Sequence, residues 1–432
     1  MQRTTILAAA AALLALAVAP LRAQQDTTRG VRIGLTYQPG TKPGVVVLPI
    51  EGPWGDSVQT ILQRDFDFGD RIEVLGQTNA TALASRGSIN YGVWKTMGAA
   101  ALVQVTLANG TARVSVHDVA ARRVAEARDF PLSATPGSED WRMAVHGIAD
   151  EVERWITGVR GIAETRVLYV RGGRVYVIDS DGYGERALSQ GGTALSPTWD
   201  PSGRYVAYSQ FGSRGTSIVV RDLASASTRT LTTTPGGLNI TPAFTPDGKS
   251  IVYAHGEEDG TDLYLAPAFG GGPARRITVG RGTDNVSPSF APDGSRLAFT
   301  SGRAGHPEVY TADVDGSNVE LLTPFNFGDQ NYRSNPDWSP DGRLIAFQSR
   351  IDGNFQIMTI TLRDRTVKQL TSEGVNEDPS WAPDGRHLVF TSSRTGVKEL
   401  FVLDAESGRA RQLTHGAGAR LAAWSRVLGH AF

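Results

Sequence analysis

Four aspartates, Asp247, Asp293, Asp341 and Asp384, hold one regular place in a repeated phrase, and five histidines, His255, His306, His387, His415 and His430, share that half of the chain. Carboxylates and imidazoles are the ligands of metal-dependent hydrolases and lyases, so a divalent-cation centre is the first chemistry to weigh. The spacing argues against it. Each aspartate stands in a Pro-Asp-Gly turn, one per repeat, where local backbone groups can satisfy its carboxylate. The histidines occupy unmatched places in the repeats and do not converge. The chain has no cysteine, which removes disulfides, thiolate metal sites and thiol nucleophiles together. It also lacks the Gly-x-Ser-x-Gly elbow that an α/β-hydrolase needs for its serine.

What recurs instead is a set of small hydrogen-bonding residues just ahead of a Pro-x-Trp/Phe unit. The loops read LNIT at 238–241, DNVS at 284–287, RSN at 333–335 and VNED at 375–378. They place Asn239, Thr241, Asn285, Ser287, Ser334, Asn335, Glu377 and Asp378 at equivalent points, all facing one mouth of a ring. The links at 301–308 and 349–356 share that face, and the Asp-Gly turns crowd the opposite one. A binding surface is the functional reading. The competing role is local capping of turn backbone, which Asn and Ser perform in many loops.

The elements that must position these residues follow from the repeat itself. Intact copies begin at Pro197, Pro242, Pro288, Pro336 and Pro379, and a fragment, AAWS, ends the series at 422–425. The strand missing from that fragment stands far upstream as RVLYV at 166–170. Aromatic residues Tyr169, Tyr208, Tyr253, Phe299, Phe347 and Phe390 recur at intervals of 39, 45, 46, 48 and 43, the period of four-stranded propeller blades. Two places before each lies Val167, Val206, Ile251, Leu297, Ile345 or Leu388, so alternation puts both on one strand face. A matching series, Tyr176, Val219, Tyr264, Tyr310, Met358 and Phe401, marks the next strand. A repeat begun at one end and finished at the other predicts a six-bladed β-propeller closed by shared N- and C-terminal strands.

Residues before the ring predict a small N-terminal α/β domain. Strands are expected at 44–50 and 71–75, and a helix over 56–66 from Val58, Ile61, Leu62 and Phe66. A short helix is expected at 90–97. Strands at 101–107 and 113–117 flank Asn109-Gly110, a strong hairpin signal, with a further strand at 123–130. A longer helix opens after Ser138 and ends at Gly158, with Trp141, Val145, Ile148, Val152 and Trp155 along one face. That stripe reads as core, and His146 beside it as a packed or exposed residue rather than a ligand.

The 43 basic and 44 acidic residues are interspersed and give a net charge of −1 over 432 residues, which argues against a nucleic-acid partner. Arg3 followed by an apolar run at 6–19 and the small Ala23 read as an export signal. The expected organisation is a signal peptide at 1–23, a mobile N-terminal arm at 24–37, the α/β domain at 38–160 and the propeller at 161–432.

With those features together, the chain resembles the TolB family, periplasmic propeller proteins of the Tol-Pal envelope system. The resemblance rests on GVRIGLTY at 30–37, RIEVLG at 71–76, INYGVWKTMGAAALVQ at 89–104, HGIADEVERWITGVRGIAETRVLYV at 146–170, and the six repeats. It implies a non-enzymatic, monomeric adaptor of the periplasm without cofactor or metal, supporting outer-membrane integrity and cell division. It further implies that the lipoprotein Pal binds at the propeller mouth through the loop residues named above. The inner-membrane protein TolA would bind the arm, around Val31, Arg32 and Ile33. The run APAFGGGP at 266–273, in place of an Asp-Gly turn, departs from the pattern. The rival readings are an exported peptidase-related propeller, a metal-dependent lyase, and a sugar- or calcium-binding module.

Overall fold

A computed structural model describes residues 42–76, 89–213, 215–231, 237–279, 282–323 and 332–426. The expected signal peptide and arm, Val31, Arg32 and Ile33 included, lie outside them. No helix among the described residues is long and apolar enough to cross a membrane.

The first elements are β1 (Gly44–Val47), α1 (Gly55–Phe68), β2 (Glu73–Val74), α2 (Tyr91–Thr96), β3 (Ala99–Ala108), β4 (Thr111–Asp118), β5 (Arg123–Pro131) and α3 (Glu139–Thr157). They build one mixed sheet in the order β2-β1-β3-β4-β5, with β1 parallel to both neighbours and the remaining pairs antiparallel. Alternation along β1 divides the core. Val45 and Val47 face α1 and the apolar stripe of α3, whereas Val46 and Leu48 pack with Trp94 and Leu102 on the other side. Asn109 and Gly110 both take positive φ, 50° and 70°, as a two-residue hairpin turn matched to strand twist requires. Ser138 caps α3 by accepting from the Trp141 amide at 3.3 Å, and Gly158 ends it at φ 83°.

Six four-stranded sheets follow. We count the closing blade as the first; it joins the C-terminal strand Arg420–Trp424 to Arg166–Arg171, Arg174–Asp179 and Arg186–Ala187. The two series predicted from spacing lie directly opposite each other in every blade: Tyr169 with Tyr176, Tyr208 with Val219, Tyr253 with Tyr264, Phe299 with Tyr310, Phe347 with Met358, and Phe390 with Phe401. They bury against neighbouring blades, which is why one blade cannot stand alone.

The turn glycines hold the ring's lower rim. Gly248, Gly294, Gly342 and Gly385 have φ between 64° and 73°, and each abuts the turn proline of the preceding blade. Asp247, Asp293 and Asp341 accept from the backbone amide two residues on, at 3.0 Å in each case. They are turn residues. Asp384 does the same for Arg386 and also reaches Arg71 of the α/β domain at 3.0 Å. The α/β domain therefore sits on the turn side of the ring, and the loops entering the inner strands face away from it.

Candidate interaction site at the propeller mouth

Every inner strand is irregular at one place, immediately before the Pro-x-Trp/Phe unit or, in the closing blade, before Ala422-Ala423-Trp424. The pairing register slips there in all six blades. At that slip Ser196, Thr241, Ser287, Asn335, Asp378 and Leu421 adopt positive φ, from 47° to 57°. Non-glycine residues seldom take this conformation, and a β-branched threonine costs more than most, on the order of 1–3 kcal/mol. Recurrence in six blades makes it a device of the architecture. A bulge turns one side chain per blade toward the central channel, and the sequence then chooses what each blade presents.

The channel has a volume of about 360 Å³. Around its mouth the bulge residues bond across blades. The Ser287 amide donates to Thr241 Oγ1 at 3.0 Å, Ser287 Oγ to Asn335 Oδ1 at 3.0 Å, and Asn335 Nδ2 to Asp378 Oδ1 at 2.6 Å. A second tier lies deeper, where Ser289 Oγ donates to Asp337 Oδ1 at 3.1 Å and the Trp381 amide to Asp337 Oδ2 at 2.7 Å. Burial pushes Asp337 and Asp378 up to about 6, against the hydrogen bonds they accept. Both carboxyls line the channel and are partly exposed to it.

The eight loop residues singled out in the sequence separate into two groups. Thr241, Ser287, Asn335 and Asp378 line the channel together. Glu377 stands half-buried at the rim, paired with Lys398. Asn239, Asn285 and Ser334 are turned inward and are 1 %, 0 % and 5 % exposed. Asn239 donates to the Thr216 carbonyl at 2.6 Å and meets His255 Nδ1 at 2.9 Å. Asn285 donates to Asp262 Oδ1 at 3.0 Å and accepts from Arg303 at 3.1 Å. Such contacts hold the loops and leave Asn239 and Asn285 no surface to offer a partner. Capping, the competing role, describes these two.

Arg303 and Arg394 were missed by the sequence reading. Arg303 Nε donates to Ser301 Oγ at 3.1 Å, its Nη2 to Asn285 Oδ1, and its guanidinium lies 5.2 Å from the Tyr310 ring. Arg394 repeats the arrangement with Ser392 at 3.0 Å, Asn376 at 3.4 Å and the Phe401 ring at 4.7 Å. The signal was a Ser-x-Arg in these two blades alone, starting at the last residue of the second strand and placing its arginine four residues past the aromatic. Stacking fixes both cations beside the mouth while the ring faces keep them partly desolvated. Exposed apolar residues complete the face: Phe211, Leu238, Tyr332 and Val397, each at the end of a strand opening on the mouth.

A hydrogen-bonded channel rim, stacked arginines and scattered large apolar groups form the composition of a protein-binding surface. Among the described residues, two groupings of histidine and carboxylates are close enough to share an ion, Asp65-His146-Asp181 and Asp70-His387-Asp404; both lie elsewhere and contain one histidine each.

Comparison with known proteins agrees with this architecture. A family model described as the TolB beta propeller domain matches residues 153–428. The Tol-Pal system protein TolB of Chromobacterium violaceum is 30% identical over 200 residues, which are 44% of this chain and 46% of that protein, just under half its length. The crystal structure of TolB from Acinetobacter baumannii superposes with a TM-score of 0.77 at 23% identity, covering 90% of this chain and 98% of that one. Hydrazine synthase of Kuenenia stuttgartiensis shares the propeller more loosely, with a TM-score of 0.53 at 15% identity over 61% of this chain and 46% of its own.

Proposed function

This chain belongs to the TolB β-propeller domain family, and from that premise we propose that it is a periplasmic, non-enzymatic adaptor of the Tol-Pal system. Its mouth face holds the lipoprotein Pal, and the arm at 24–37, with Val31, Arg32 and Ile33, engages TolA. Outer-membrane integrity and envelope constriction at division are the processes it serves. The observation that carries the reading is the mouth itself: four bulge residues bonded in a row across neighbouring blades, flanked by two equally built arginine clamps, on the face left clear by the α/β domain. Preformed loops of this kind bind without reorganising, so little ordering entropy opposes association.

Removing residues 24–37 from the exported protein tests the division of labour. The trimmed chain should bind purified Pal within about twofold of the full-length affinity and lose binding to TolA altogether. Loss of Pal binding, or retention of TolA binding, would overturn the assignment of partners to sites.

A further inference from the structure

The joint between the α/β domain and the ring carries a network of ionisable groups, several of them buried. Arg64 and Arg142 both pair with Asp181, Arg71 with Asp384 at 3.0 Å, and Arg409 with Asp67 at 2.7 Å and Asp70 at 3.0 Å. Within this network two histidines, each 0 % exposed, hold matching places. His146 of α3 sets Nδ1 2.7 Å from Asp65 Oδ2 in its own domain and turns Nε2 toward Asp181 Oδ2 of the ring, 3.7 Å away. His387 of the sixth blade sets Nδ1 2.8 Å from Asp384 Oδ2 in its own domain and turns Nε2 toward Asp70 Oδ2 of the α/β domain, 3.5 Å away. Each domain thus lends one imidazole, anchored at home and aimed across the seam.

That arrangement has a chemical consequence. A neutral imidazole has one N–H and one lone pair, so it can serve only one of two flanking carboxylates as donor. An imidazolium serves both and supplies the charge between them. We propose that the joint is a proton-operated clasp, closed while His146 and His387 are both imidazolium and loosened when either loses its proton.

The surroundings favour the closed form near neutrality. His146 faces Asp65, Asp181 and Asp179, with Arg64 and Arg142 behind Asp181 and Arg166 on Asp179. His387 faces Asp384, Asp70 and Asp404, with Arg71, Lys42, Arg409 and Arg386 behind these carboxylates and Glu153 nearby. Burial opposes the His387 charge, but the carboxylates, Asp384 first, push it up to about 9. Burial likewise opposes charge on His146, which Asp65 and then Asp181 raise above the ordinary histidine value. Burial also raises Asp65, which His146 offsets by charge and hydrogen bond. A histidine raised in the folded state stabilises fully below its unfolded value near 6.5, and that stabilisation is lost as pH rises through the raised value. Asp384 moves the opposite way: despite burial, His387 and Arg71 hold its carboxyl far below the usual range, so mild acid leaves the His387 half of the clasp intact. Opening is an alkaline event.

The full chain with 15N-labelled histidine reads this directly. Nitrogen shifts of His146 and His387, assigned by His146→Gln and His387→Gln, should report doubly protonated rings at pH 7.5 and titration well above 6.5. Hydrogen exchange at 64–71 and 384–387, corrected for intrinsic rate, should accelerate at least about tenfold across the same step, while the inner strands stay protected. Each glutamine variant, able to donate at one end only, should exchange quickly there already at pH 7 and lose the step. A neutral ring at pH 7.5 in either histidine would overturn the proposal. So would unchanged protection as the rings titrate, or wild-type behaviour of both variants. Should the variants not fold, the wild-type titration decides alone.

Discussion

Replacing Trp424 with alanine should lower the stability of the ring by about 3–5 kcal/mol, the range for deleting a large buried aromatic. The side chain is 7% exposed and packs with Val167, Tyr169, Ile178, Val389 and Val402, so its loss leaves a void between the first and sixth blades. Its indole also donates to Thr165 Oγ1 at 2.8 Å, and its amide to Ser380 Oγ at 3.1 Å. Those contacts and the Ser425 bonds to Arg166, at 2.8 and 3.0 Å, add to the pairing of strand Arg420–Trp424 with Arg166–Arg171 that closes the ring. Opening the seam would expose the edge of strand Arg166–Arg171, a template for intermolecular pairing. Urea denaturation followed by circular dichroism measures the effect, and the variant should aggregate on the way. A loss below about 1 kcal/mol would show that closure at Trp424 contributes little.

Changing Arg303 and Arg394 together to alanine should weaken Pal binding by at least about 30-fold and leave the ring folded. Both guanidiniums are already oriented by a serine, an asparagine and an aromatic face, so little entropy is lost when a partner meets them. Arginines held in this way are frequent anchors of interfaces, and two equivalent ones on one rim should act together. Calorimetric titration gives the affinity, and thermal unfolding guards against a general loss of structure. Affinity within threefold of the unchanged protein would remove these residues from the interface. Asn285 is a poor probe of the same face, because its side chain holds Asp262 and Arg303 and its loss would disturb the loop itself.

The ring was legible because propellers repeat. An aromatic and its partner on the next strand recur in every blade, so one pattern, read once, predicted the register of the blades and the strand that closes the ring. Asn109-Gly110 and the Ser138 cap were legible because each is a local motif with its own backbone chemistry. The mouth was half legible. Position in the repeat located all eight loop residues, but nothing in the spacing told that Asn239 and Asn285 turn inward while Thr241 and Asn335 turn toward the channel. That division comes from the bulge at positive φ, which a strand pattern does not announce. The joint was not legible at all. Asp70 and His387, or His146 and Asp181, belong to segments with unrelated periods, and only folding makes them neighbours. His146 read as a packed or exposed residue because its carboxylate partners could not be seen beside it.

The account stands on which face of the ring Pal meets. A photo-cross-linking residue placed at Asn335 on the mouth, and separately at Asp247 on the turn side, settles this in one experiment with purified Pal. The account predicts a Pal adduct from position 335 and none from position 247. An adduct from 247 alone, or equal adducts from both, would contradict it.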